Sequence, residues 1–277
     1  MHITIIGCGY VGMAAARHWR NQGWTVTGTT TTPDRVPQLE EVVHRVQVVR
    51  GDDARALHAI LQGQQAVLLS IGAPHPSAYE KTYLDTARTL VDVLRGLPEI
   101  GYLLYTGSYS VYGDRGGAWI TETTPATPAN RNGEILHQTE QILLAAANDT
   151  LNVGILRLGG IYGPGRELDG ILGWACGMTL SGDGSDFSNW VHLDDIVGAL
   201  AFALKERLRG IYNLVGDEPL PRAELLKRLC EQRALPPVQW EGTSQGTKPY
   251  NARVSNQKLK AAGYELVHPQ IRFESPG

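Results

Sequence analysis

Short apolar runs alternate with segments of helical spacing through the first half of the chain. His2–Ile6, Trp24–Thr29, Val43–Val49, Ala66–Ile71, Gly101–Thr106 and Asn152–Arg157 are rich in Val, Ile and Leu. They lack clean in/out alternation, as strands covered on both faces do. Between them Val11–Gln22, Asp53–Gln62, Tyr79–Arg95 and Glu134–Ala147 read as helices, the last with Ile135, Thr139, Ile142, Leu143 and Ala146 on one stripe. Strand and helix in alternation predict right-handed crossovers and an α/β fold built on a doubly wound parallel sheet. Beyond Arg157 the pattern loosens. Gly159–Gly184 is rich in glycine and short of strand signals, which predicts loops and short helices. Leu193–Arg207 reads as a helix and Gly210–Leu214 as a strand. Pro221 stands where a further helix would begin, a position that tolerates a missing N–H.

Candidate chemistry starts at the first strand. GCGYVG, from Gly7 to Gly12, follows that strand directly and opens a helix. In this context Gly7 makes the tight turn, Gly9 lets the backbone approach a pyrophosphate, and Gly12 lets helix pack on strand. The helix start at Tyr10 and Val11 then offers amides and a positive dipole end to the phosphates. The expected partner is a nicotinamide dinucleotide on a Rossmann-type domain. An NAD site usually places Asp or Glu at the end of the second strand to hold the ribose 2′-OH. Here the stretch is GTTTTPDR, Gly28 to Arg35, with no acid before Asp34. Thr29, Thr30 and Thr31 would hydrogen-bond a 2′-phosphate and Arg35 would pair with it, so NADP is expected in preference to NAD; alternatively Asp34 and Arg35 only start a solvated helix. After the third strand, Asp52 is placed near the adenine, and one of Asp52 and Asp53 caps the next helix.

Composition narrows the partners. The chain has 277 residues and a formal net charge of −3, and its basic residues form no run beside aromatics, so nucleic acid is not expected. No apolar stretch approaches the roughly 20 residues of a membrane helix. The N-terminus reads as a strand and not a signal peptide. Of the three cysteines, Cys8 lies in the glycine loop, while Cys176 and Cys230 stand isolated in sequence. Neither a metal spacing nor a disulfide framework emerges, which predicts no metal, a reducing compartment and a cytoplasmic location. The expected division is a dinucleotide-binding domain over 1–158 plus 189–215 and a small substrate lobe over 159–188 plus 216–277.

Four further segments, in order, carry a resemblance. TGSYSVYGD (Thr106–Asp114), GILRLGGIYGPGR (Gly154–Arg166), NWVHLDDIVGAL (Asn189–Leu200) and GIYNLVGDEPL (Gly210–Leu220) look like conserved stretches of the extended short-chain dehydrogenases/reductases, the NAD-dependent epimerase/dehydratase type. The resemblance implies hydride transfer on a small polar, nucleotide-sugar-like substrate held between sheet and C-terminal lobe, and a possible homodimer. It adds Ser70, Ile71, Gly72, Thr106 and Gly160 to the cofactor set and matches Ser108 to the family's active-site serine.

The family's chemistry uses a Tyr and a Lys four residues later, on one helix face. The ammonium lowers the phenol pKa so that Tyr exchanges a proton while hydride moves. Aligned on its glycine and Glu140, this chain has Asn132 at the Tyr position and Leu136 at the Lys position, and no Tyr-x-x-x-Lys occurs anywhere in it. Neither residue is an acid or base near neutral pH. Proton exchange would then pass to Ser108, to a neighbouring tyrosine such as Tyr109, or to water, with Asn132 beside them. His137 and His192 read as structural. Arg131, Tyr162, Trp174 and Asn189 are candidate substrate contacts, with Trp190 a packing residue. The alternative is a dinucleotide-binding redox sensor or regulatory protein without turnover.

Overall fold

The computed structural model describes residues 1–242 and 249–273. Its centre is a seven-stranded parallel sheet, confirming the expected fold class. Five strands come first: β1 (His2–Ile6), β2 (Thr25–Thr30), β3 (Arg45–Val48), β4 (Ala66–Leu69) and β5 (Tyr102–Ser108). The order across the sheet is Gly210–Leu214, Asn152–Leu158, β5, β4, β1, β2, β3. The chain therefore starts in the interior, builds outward to β3, then crosses back to β4, giving the switch point of a dinucleotide fold beside β1. The register sets Ile5 opposite Gly28 and Ile6 opposite Leu69, so the residues after β1 emerge between the ends of β2 and β4.

Helices α1 (Tyr10–Asn21), α2 (Val36–Glu40), α3 (Ala54–Leu61), α4 (Thr86–Leu94) and α5 (Arg131–Ala145) accompany these strands. On one face Leu57, Ile60, Leu61, Leu90 and Leu94 join Val67, Leu69, Leu103 and Tyr105 in a dry core. Trp19, fully buried on α1, stacks on Trp24 with ring centroids 5.6 Å apart. Asp53 caps α3 by accepting from the Ala56 amide at 2.9 Å, so of the two candidate aspartates Asp53 is the cap. The expected helix over Tyr79–Arg95 is interrupted: Glu80–Asp85 is π-helical before α4 begins. Inside this layer Arg157 and Glu140 form a buried ion pair at 2.6 Å, satisfied by further bonds at 3.0 and 3.2 Å.

The contacts divide the chain into two compact units: Met1–Ser108, Arg131–Arg157 and Val197–Tyr212 in one, and Tyr109–Asn130, Leu158–Ile196 and Asn213–Gly277 in the other. Two expectations change in the second unit. Gly160–Tyr162 is a strand, paired in parallel with Trp190–His192, inside the stretch that sequence assigns to loops and short helices. Three residues are too few for a periodic signal. Gly160 permits the pairing because a Cβ there would lie 2.7 Å from the Trp190 ring. Second, Cys176 and Cys230, 54 residues apart in sequence, are joined as a disulfide, with Cα atoms 5.9 Å apart. The helix Arg222–Gln232 buries Leu225, Leu226, Leu229 and Cys230, which brings its cysteine to the Cys176 loop. The two cysteines that stand isolated in sequence are thus paired in the fold.

Candidate functional site

The glycine loop follows from local sterics. Gly7 has φ of +90°, a region L side chains rarely adopt. A Cβ on it would strike the Ser70 carbonyl oxygen and stand 2.7 Å from Ile71 Cγ2. On Gly12 it would meet the Gly7 carbonyl oxygen at 2.6 Å. Gly9 differs, since nothing lies within 4 Å of the place its Cβ would occupy. As N-cap of α1 it supplies no side-chain cap, and the first turn, with Tyr10, Val11 and Gly12, holds no acid. Open space, an uncapped helix start and no competing carboxylate together suit an anion.

The threonines after β2 divide by role. Thr29 is buried and its hydroxyl accepts the Gly7 amide at 3.0 Å, while the Cys8 amide donates to the Thr29 carbonyl at 2.9 Å. Thr29 thus fixes the glycine loop, a role sequence spacing missed. The Thr30 hydroxyl accepts from the Thr32 amide at 3.1 Å, and Thr31 is exposed. Arg35 lies over the loop, donating from Nη2 to the Cys8 carbonyl at 3.1 Å. Burial pushes the Cys8 thiol up to about 12, against the opposing pull of Arg35, so it is a neutral wall of the loop. Asp52 is ion-paired with Arg50 at 3.0 Å and Lys81 at 3.4 Å, and the Arg50 hydrogen bond holds its carboxyl down to about 2.

Across the switch point, the Thr106 hydroxyl donates to Ser70 Oγ at 3.1 Å, Gly72 has open space around it, and Ser108 ends β5 half-buried. Asn132 is half-buried in the first turn of α5, and Leu136 on the same helix is buried. Arg131, exposed, pairs with Glu80 at 3.4 Å and Glu134 at 3.3 Å.

In the second unit several candidates are occupied. Tyr109 is buried against Tyr250, and that burial raises its phenol pKa despite a hydrogen bond with Asn189. A phenol shifted in that direction gives up its proton less readily near neutrality. Asn189 is also committed: its amide donates to the Ala252 carbonyl and accepts the Val254 amide, both at 2.9 Å. The buried Tyr162 hydroxyl accepts the Arg272 amide at 3.1 Å. Gly160 packs on Trp190, as expected of a packing tryptophan. Trp174 is 62% exposed.

Against known proteins, residues 3–214 match the model of the NAD dependent epimerase/dehydratase family. The chain belongs to that family. This agrees with the resemblance read from its four motifs. It is 29% identical over 278 residues to protein YeeZ of Escherichia coli strain K12, covering 96% of each. To 2′-dehydrokanamycin reductase of Streptomyces kanamyceticus it is 29% identical over 189 residues, 61% of this chain and 54% of that protein. A structure of a functionally unknown conserved protein from Silicibacter pomeroyi superposes with TM-score 0.76 at 26% identity, over 97% of this chain and 94% of that one. The fold is also that of DesIV, a dTDP-glucose 4,6-dehydratase from Streptomyces venezuelae with NAD and TYD bound, at TM-score 0.80, 21% identity, and coverage of 99% and 93%. Among the described residues no helix is long and apolar enough to cross a membrane.

Proposed function

We propose that this protein binds a nicotinamide dinucleotide, NADP(H) in preference to NAD(H), and transfers hydride to or from a small polar, nucleotide-sugar-like substrate. The observation that carries the reading is the space at Gly9. The loop around it is crowded at Gly7 and Gly12 yet leaves this one glycine uncovered at an uncapped helix start. Crowding explains two of the three glycines, and a diphosphate explains the third. Family membership supports the chemistry, and solved proteins of the same fold carry NAD. Gly7, Gly9, Tyr10, Val11 and Gly12 would face the diphosphate, with Ser70, Ile71, Gly72 and Thr106 along the nicotinamide side.

The preference for NADP rests on Arg35 and Thr31. The hydroxyls of Thr29 and Thr30 are engaged by backbone amides, so the guanidinium over the loop is the group that would meet a 2′-phosphate. The nicotinamide, when bound, would supply the hydride, and Ser108 at the end of β5 would hold the substrate oxygen that takes up a proton. Arg131, exposed at the start of α5, would be a substrate contact on the sheet unit.

Titrating the protein with NADPH and NADH, followed by tryptophan quenching, tests the cofactor. NADPH is expected to bind at least tenfold more tightly, and Arg35→Gln to remove that preference, about 1.4 kcal/mol. Equal affinities in the unaltered protein defeat the NADP assignment; no binding of either nucleotide at millimolar concentration defeats the whole reading. A second reading, a redox sensor without turnover, is favoured by Asn132 and the buried Leu136 where the proton-transfer pair would stand. It predicts tight nucleotide binding with no hydride exchange into any carbonyl substrate.

A further inference from the structure

The two-histidine cluster in the second unit is invisible in the sequence because its members come from distant segments. His192 ends the strand Trp190–His192, Asp194 lies in the first turn of the helix Leu193–Glu206, and His268 follows Asp194 by 74 residues. In the fold one carboxylate oxygen, Asp194 Oδ2, stands 3.1 Å from His268 Nε2 and 3.4 Å from His192 Nδ1. The imidazole centroids are 3.9 Å apart with planes inclined by 51°. Both histidine side chains are buried, at 3% and 8% exposure, while Asp194 is 59% exposed.

We infer that His192, Asp194 and His268 form a binding site for a divalent transition-metal ion of the zinc class. Two observations carry it. Zinc bonds of about 2.0–2.1 Å in tetrahedral array set donor atoms about 3.3 Å apart, and the two measured separations bracket that value. His192 Nδ1 accepts the Asp194 backbone amide at 3.1 Å, so in this tautomer it carries no proton to offer the carboxylate oxygen beside it. Two electron-rich atoms at 3.4 Å are then held together without a shared hydrogen, a contact that a cation relieves. A cation taking that lone pair would displace the Asp194 amide, which lies at an exposed helix start where water can replace it.

The surroundings fit a fixed ligand set. Asp195 does not reach for the ion; its oxygens accept the Val267 and His268 amides at 2.6 and 3.0 Å, which sets the backbone that presents His268. The Tyr162 ring stands edge-on to His192, centroids 5.1 Å apart, and limits its rotation. Two nitrogens and one oxygen, with the exposed side left to water, suit zinc, nickel or copper more than calcium or magnesium. The ion would clip the Val267–His268 segment to the start of the helix, a structural role independent of the nucleotide site.

The test is equilibrium dialysis of chelator-stripped protein against zinc chloride, with cobalt(II) as a spectroscopic probe. The unaltered protein should retain one zinc per chain, show cobalt absorption of low-symmetry nitrogen/oxygen coordination, and gain thermal midpoint on zinc addition. His268→Gln should weaken zinc binding at least tenfold. Asp194→Ala, on an exposed side chain, should do the same with unchanged far-UV circular dichroism, and it decides the matter should His268→Gln fail to fold. No retained zinc, or equal retention by Asp194→Ala, overturns the site and leaves a hydrogen-bonded histidine clasp.

Discussion

The glycines of the opening loop separate folding from binding at the level of single atoms. Gly7→Ala forces a side chain into a positive-φ position and against the Ser70 carbonyl and Ile71. It should cost about 2 kcal/mol or more of stability and lower the urea midpoint accordingly. Gly9→Ala meets no neighbour within 4 Å, and its φ of −83° suits an L residue. Its stability should stay within about 1 kcal/mol of the parent, the scale of an N-cap change. Binding of NADPH should nonetheless fall at least tenfold, because the methyl group takes the space assigned to the pyrophosphate. Chemical denaturation alongside nucleotide titration reads both quantities. A Gly9→Ala protein that binds normally would remove the observation on which the proposed function rests.

At the scale of elements, what was legible in the sequence was what is local. Strand His2–Ile6 and strand Gly210–Leu214 have the expected bounds, and α1 and α3 lie within a residue of theirs, because each carries its own apolar pattern and end signals. The glycine loop was legible for the same reason. Pairing between distant segments was not. That Thr29 holds the Gly7 amide depends on the register of β1 against β2, which no spacing reveals. The strand Gly160–Tyr162 exists only through its partner Trp190–His192, and the π-helical turn Glu80–Asp85 sits within an unbroken helical pattern. The His192–His268 pair is likewise assembled by the fold, and no spacing along the chain reveals it. Asp53 tests the local kind of inference. Asp53→Ala removes the acceptor of the Ala56 amide at the start of the eight-residue α3 and should cost about 1 kcal/mol, while Asp53→Asn should cost less than half of that. Equal loss in both would move the effect from the cap to the charge.

For the molecule as a whole, the two units rely on different means of holding a core. The sheet unit buries a continuous apolar cluster and an ion pair, Arg157–Glu140, with its hydrogen bonds well formed. Among the described residues the second unit has two smaller clusters, one around Tyr112 and Val254 and one around Tyr162 and Leu229, and the Cys176–Cys230 link beside the latter. Small cores gain most from a cross-link, since it removes conformations from the unfolded chain. Closing a loop of 54 residues corresponds to about 4 kcal/mol in the chain-entropy estimate. Cys230→Ala, or reduction of the parent, should therefore lower the unfolding midpoint, with the largest rise in amide exchange over the helix Arg222–Gln232. Peptide mapping without reductant should recover Cys176 and Cys230 in one cross-linked fragment. Cys8, buried with its thiol pKa pushed up to about 12, should be alkylated only after unfolding. Rapid alkylation of both Cys176 and Cys230 in the native, oxidised protein would show that the pair is not linked in solution, and the second unit would then have to stand on its apolar clusters alone.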